Sequence, residues 1–272
     1  MYLAIDIGGT KTLVASLTNE GVISERVRFE TPKDYDKFVT CLAETISSLE
    51  TKEFIACGVG VPGMLDREAG IGIAMGNLPW RNIPIKKDVG KMVSCPVAIH
   101  NDAKLAGLSE AVLLKGTYDR VLFATISTGI GVSLITDQTI DPALADAEVG
   151  KMPIMHNDKM VAWEELASGR AIVKRFGKRA SDITDLATWK IIAYDLATGL
   201  IELIATVQPE VIVLGGSVGA RLERFKDPLV HRLKSFEMPL IPIPPIREAQ
   251  RADDAVLYGC YELVKGAYGK AH

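Results

Sequence analysis

One pattern occurs twice in this chain, and few folds accommodate it. Tyr2-Leu3-Ala4-Ile5-Asp6-Ile7 is a short apolar run that ends near one carboxylate, and Gly8-Gly9-Thr10-Lys11 follows it. Thr12 to Leu17 then resumes β-like character, and Asn19-Glu20-Gly21 turns the chain. Roughly 120 residues later Val121 to Ile126 leads into Ser127-Thr128-Gly129-Ile130-Gly131. Val132 to Ile135 and a turn at Asp137-Gln138 complete the second copy. A strand, a hydroxyl-and-glycine turn, a strand and a hairpin, twice over, imply an internal duplication. The expectation is two similar α/β lobes with facing phosphate turns.

The chemistry of the turns follows from their residue types. Glycines let the backbone bend tightly and let a bulky anion approach the N–H groups. Thr10 and Lys11 can donate to phosphate oxygens, and Asp6 sits where it could hold a magnesium ion through water. The Walker arrangement is excluded, because that needs Gly-Lys-Ser/Thr opening a helix. A plain β-turn would explain either copy alone. The repetition argues against that.

Between and after the two copies the chain alternates in character. Tyr35 to Leu49 places Phe38, Leu42, Ile46 and Leu49 at helical spacing, with Thr31-Pro32 leading in. Phe54 to Val61 reads as a buried strand that stops at Pro62-Gly63. An irregular segment, Gly76-Asn77-Leu78-Pro79-Trp80, offers an amide and an indole; packing of a loop by Trp80 is the plain reading. Pro96 to His100 is a further strand, followed by Asn101-Asp102-Ala103. Asn or Asp at a strand-to-helix junction is first an N-cap. Two such side chains at the C-terminal end of a strand are also where α/β sheets place their chemistry, and a carboxylate there could take a proton from a bound hydroxyl.

Glu148-Val149-Gly150-Lys151 and Trp163-Glu164 to Arg170 bracket a polar loop, the second opening a helix. Thr188 to Val207 reads as a helix with an apolar stripe. Val211 to Leu214 reads as a strand stopping at Gly215-Gly216-Ser217, a turn that suits a nucleotide. Asp253-Asp254 is expected to cap an apolar helix from Ala255 to Tyr268.

Composition narrows the class. With 272 residues, 48% hydrophobic and 24% charged, the chain is expected to be a soluble globular protein of one large or two ordinary domains. A net charge of −3 argues against a general nucleic-acid surface. No apolar run nears the roughly 20 residues of a membrane span, and no cleavable signal is read at the N-terminus. The four cysteines lack metal-ligand spacing and are expected as buried, reduced thiols in a cytoplasmic protein.

In this order the motifs resemble the ROK family of sugar kinases, within the actin, hexokinase and Hsp70 superfamily, over nearly the whole chain. The resemblance makes Asp6-x-Gly8-Gly9-Thr10-Lys11 the first phosphate motif and Ser127-Thr128-Gly129-x-Gly131 the second. It makes Asp102 the catalytic base, and Gly63, Asn77, Asn101, Asp102, Glu148, Lys151 and Glu164 the sugar site. Gly215 and Gly216 become the adenosine-side turn. Two departures stand out. Lys151 occupies the position of a family histidine, and Met152 to Trp163 lacks the family's zinc-binding cysteines, so no zinc is expected. Lys151 either pairs with Glu148 or Glu164 or reaches the sugar hydroxyls farthest from the transferred phosphate.

The resemblance implies two ribonuclease-H-like lobes around a central cleft. The expected bounds are 1–116 with 253–272, and 117–252. It further implies transfer of the ATP γ-phosphoryl to the 6-hydroxyl of a hexose, glucose first, with Mg²⁺, in a homodimer serving glycolysis. N-acetylglucosamine, N-acetylmannosamine, mannose or fructose kinases are the alternatives, as is a catalytically silent sugar sensor. A repressor would need a DNA-binding segment for which no room is expected ahead of Asp6.

Overall fold

The computed structural model describes residues 1–269. It divides into two compact units, one of Met1–Ser109 joined by the segment from Asp253, the other of Glu110–Ala252. In the first unit β1 (Tyr2–Ile7), β2 (Lys11–Leu17) and β3 (Ile23–Glu30) form an antiparallel meander. Helix α1 (Tyr35–Ser48) follows, then β4 (Cys57–Val61). A small three-stranded sheet comes next: β5 (Met64–Asp66), β6 (Ile71–Ala74) and β7 (Arg81–Ile83). Helix α2 (Ile85–Met92), β8 (Val97–Asn101) and α3 (Asp102–Val112) complete this part of the chain. The main sheet runs β3-β2-β1-β4-β8, with β1, β4 and β8 parallel.

In the second unit β9 (Arg120–Ile126), β10 (Ile130–Thr136) and β11 (Thr139–Ile140) repeat the antiparallel meander. A hairpin of β12 (Pro153–His156) and β13 (Lys159–Ala162) leads to α4 (Trp163–Ala167) and α5 (Gly169–Phe176). Then come α6 (Leu186–Val207), β14 (Val211–Gly215), α7 (Gly216–Gly219), α8 (Leu222–Lys234) and β15 (Ile246–Glu248). The sheet order is β11-β10-β9-β14-β15, with β9, β14 and β15 parallel. Each unit therefore has three meandering strands continued by two parallel ones, the ribonuclease-H-like order. The duplication read in the sequence holds at the level of topology. Helix α9 (Ala255–Tyr268) returns to the first unit.

The first core sits between β1, β4 and the helices that cover them. Leu3, Ile5, Val59, Phe38, Leu42 and Ile46 are among its buried members, and the last three are the helical stripe read in α1. Gly58 and Gly60 in β4 let α9 approach: a Cβ at Gly58 would stand 2.4 Å from the Cys260 carbonyl oxygen, and one at Gly60 2.4 Å from Val256 Cγ1. The second core is built on the buried stripe Ile192, Leu196, Leu200 and Leu203 of α6.

Several local expectations differ. The strand read from Phe54 starts only at Cys57, because its partner β1 begins at Tyr2 and Ile55 is turned outward. Helix α1 is capped by Asp34, whose side chain accepts the Lys37 N–H, rather than opened by Thr31-Pro32. The polar loop after Lys151 is the β12–β13 hairpin, turned at Asn157 and Asp158 with positive φ. Asp253 and Asp254 belong to a 3₁₀ turn and do not cap α9 with their side chains. Asp254 pairs with Arg26 at 2.5 Å, and Asp253 lies 3.8 Å from Lys11. Of the four free cysteines, Cys57 and Cys260 are buried, whereas Cys41 and Cys95 are partly exposed.

Candidate active site

In the first unit the candidate residues gather at the C-terminal ends of β1, β4 and β8. Gly8 to Thr10 form a tight turn closed by the Gly8 N–H donating to the Lys11 carbonyl at 2.9 Å. The segment after β3 clamps this turn. Thr31 Oγ1 donates to the Gly8 carbonyl at 2.8 Å, Lys33 Nζ to the Gly9 carbonyl at 2.8 Å, and the Thr31 N–H to the Thr10 carbonyl at 3.0 Å. Asn77 lies against the turn, since a Cβ at Gly9 would stand 2.8 Å from Asn77 Cβ. Thr10 and Asn77 are exposed. Trp80 is buried against Tyr35 and Phe38, and its Nε1 donates to the Lys33 carbonyl at 2.8 Å.

At the β8–α3 junction Asn101 Oδ1 accepts the Lys104 N–H at 3.2 Å, the bond an N-cap makes to the third helical residue. Capping thus falls to Asn101, and Asp102 is the first residue of the helix. Asn101 Nδ2 also donates to the Gly63 carbonyl at 3.1 Å. Gly63 holds φ +92°, and a Cβ there would meet the Ala74 carbonyl oxygen at 2.2 Å, so a side chain does not fit. Asp102 Oδ1 accepts the Ala103 N–H at 2.7 Å. Asp6 and Asp102 feel one another. Burial, then the Asp102 charge, lift the Asp6 carboxyl to about 7, with Asp253 and Asp254 adding and Lys11 opposing.

In the second unit Ser127, Thr128 and Gly129 form the corresponding turn, closed by the Ser127 N–H donating to the Gly129 carbonyl at 2.9 Å. Ser127 Oγ accepts the Ser217 N–H at 3.2 Å, which brings the Gly215-Gly216 turn against it. Glu164 is buried beside the same turn. A Cβ at Gly129 would stand 2.8 Å from its Oε2, and that oxygen accepts the Ile130 N–H at 3.4 Å. Its Oε1 pairs with Lys151 Nζ and lies 3.5 Å from Arg170 Nη2. Glu148 is exposed at the head of the 3₁₀ turn Val149–Lys151.

The structure therefore joins Gly9 with Asn77, Asn101 with Gly63, and Lys151 with Glu164 beside the second turn, while the Asp102 charge acts on Asp6. It adds Thr31, Lys33 and Arg170, which sequence reasoning passed over. Thr31 stood only in a helix lead-in with Pro32, and Lys33 was not singled out. Arg170 lies six positions after Glu164, beyond the helix break at Ser168, so helical spacing does not pair them. Among the described residues no group of three or more His, Cys, Asp or Glu side chains converges on a metal position, and no helix is long and apolar enough to cross a membrane.

Two ribonuclease-H-like units with glycine turns at the strand ends define the class of the actin-like ATPase fold. Comparison places the chain within it. The ROK family model matches residues 2–267, and the chain belongs to that family. A Bacillus subtilis (strain 168) protein provisionally named a fructokinase is 32% identical over 80% of this chain and 77% of its own length. An N-acetylmannosamine kinase of Vibrio cholerae is 30% identical over 88% of this chain and 93% of its own. The crystal structure of a ROK family glucokinase from Streptomyces griseus with glucose and AMPPNP superposes with a TM-score of 0.81. That pair is 24% identical and covers 96% of this chain and 98% of the other.

Proposed function

We propose that the protein is an ATP-dependent sugar kinase that transfers the γ-phosphoryl group to the 6-hydroxyl of a hexose, with glucose the first candidate. The observation that carries this reading is the pair of hydrogen-bonded glycine turns, Gly8–Thr10 after β1 and Ser127–Gly129 after β9, in a chain of the ROK family. Asp102 takes the proton of the attacking hydroxyl. That abstraction contributes part of the rate, and positioning with charge neutralisation contributes most of it. Asn77, Asn101, the Gly63 backbone, Glu148, Lys151 and Glu164 hold the sugar. Gly8, Gly9, Thr10, Lys11, Ser127, Thr128 and Gly129 hold phosphates, and Gly215 and Gly216 take the adenosine side. Lys151 also steadies Glu164, which would otherwise be a buried carboxylate with fewer cationic neighbours.

Magnesium fits the Asp6 position. Carboxylate oxygens suit a hard divalent cation, and a carboxyl lifted to about 7 by burial and acidic neighbours regains its charge beside one. Asp6 would hold the ion through water. When bound, Mg²⁺ neutralises charge on the nucleotide phosphates.

A second reading, fructose or N-acetylmannosamine as the sugar, is favoured by the names of the relatives at 32% and 30% identity. A coupled ADP-release assay over glucose, mannose, fructose and the N-acetylhexosamines decides among them. Turnover of none of these sugars would overturn the kinase reading in favour of a silent sensor. The assembly is proposed as a homodimer, to be read by sedimentation.

A further inference from the structure

Lys33 stands where two segments of the proposed site meet. Its Nζ donates to the Gly9 carbonyl at 2.8 Å and to the Asn77 carbonyl at 3.3 Å. Its own carbonyl is pinned by Trp80 Nε1 at 2.8 Å, from a ring that is 4% exposed. The lysine is therefore fixed at its backbone by the core and spans two loops with its head. With Thr31, it completes a row of donors to three successive carbonyls, those of Gly8, Gly9 and Thr10.

The row has a geometric consequence. Among the described residues no peptide bond is cis, and in a trans peptide the N–H points opposite to the carbonyl of the same unit. Tying back the Gly8 and Gly9 carbonyls turns the Gly9 and Thr10 N–H groups to the other side. Those are the donors an anion at this turn would need, and carbonyl dipoles left facing it would repel it.

From this arrangement we infer that Lys33 is a positioning residue that locks the Asn77 segment to the Gly8–Thr10 turn and sets the direction of the turn's amides. The inference rests on the assignment of Asn77 to the sugar and of the turn to phosphates. An ammonium has no acceptor of its own to compete, and its three donors exceed the two carbonyls it serves here.

The test has two arms on the intact protein. In ligand-free hydrogen exchange, Lys33→Met should speed exchange at residues 8–11 and 76–80 together, while Lys33→Arg should leave both near wild type. In steady-state assays with the best hexose, Lys33→Met should raise the sugar KM about tenfold and the ATP KM about threefold, the scale of one charged hydrogen bond shared between two sites. Lys33→Arg should restore both. Because the side chain is exposed, the melting temperature should hold. Unchanged exchange at either segment, or a shift in only one KM, overturns the inference. A wild type that turns over none of the sugars overturns the kinase reading instead, and the exchange arm, which needs no sugar, still decides whether Lys33 forms the lock.

Discussion

Asp6 and Asp102 are both acids, yet the protein treats them differently. Asp102 opens α3 while Asn101 supplies the cap, so the carboxylate can be removed without removing the cap. Asp102→Asn should lower turnover by at least about 10²-fold, the usual loss of a general base, with an unchanged melting temperature. Near wild-type turnover in that variant would leave Asp102 with a structural role alone. Asp6 makes the opposite prediction for stability. Its carboxyl titrates near 7 in the folded protein against 3.8 ordinarily, so the native state holds the extra proton between those values. The unfolded chain binds fewer protons there, and stability falls as pH rises from about 4 to about 7, by on the order of a few kcal/mol. Asp6→Asn should flatten that fall and melt higher than wild type at pH 8. Added Mg²⁺ should raise the wild-type melting temperature at pH 8 and leave the variant unmoved. Parallel pH–melting curves for the two proteins would refute the buried-charge account.

At the scale of elements, α4 shows how a local pattern depends on distant support. Five residues cannot hold a helix in water by themselves. Trp163 Nε1 donates to the Asp195 carbonyl on α6 at 3.2 Å. Arg175 Nη1 reaches the Leu166 carbonyl at 2.8 Å and Asp195 Oδ2 at 2.6 Å. Glu164 rides on this short helix. Burial lifts the Asp195 carboxyl above its ordinary range while Arg175 opposes the lift. Arg175→Met should therefore destabilise the protein by about 2 kcal/mol at neutral pH, discounted from a fully buried pair because Arg175 is partly exposed. The loss should shrink toward pH 5, as the stranded carboxyl takes up a proton. The sugar KM should rise as Glu164 loosens. A destabilisation equal at pH 5 and pH 8 would count against the ion pair.

Across the whole molecule, the two units repeat one strand order, and metal dependence should follow the residues present rather than the family habit. The Met152–Trp163 interval is a hairpin closed by cross-strand pairs such as Ile154 with Val161, and it contains no cysteine. Activity should require Mg²⁺ and survive a zinc-selective chelator, with no stoichiometric zinc by elemental analysis. One zinc per chain would overturn this.

Strands β1, β2, β4, β8, β9, β10 and β14, the stripe of α1 and the duplicated glycine turns were legible because they depend on neighbours within one turn or one strand, whereas β3, β5 to β7 and β15 were not read. Hydrophobic period and glycine placement act at that range. The β12–β13 hairpin is equally local, yet its Asn157-Asp158 turn was passed over in a stretch read as polar loop. The family was legible from the order of its motifs. The joining of Lys33 to Gly9 and Asn77, the meeting of Glu164 with Arg170 across a broken helix, and the choice of Asn101 over Asp102 as the cap were not. Nor was the lift of the Asp6 carboxyl, which needs burial together with a charge 96 residues away in sequence. Spacing along a chain gives reach only within a helix or strand. Between segments, reach is set by how sheets and helices pack, and only the folded structure decides it.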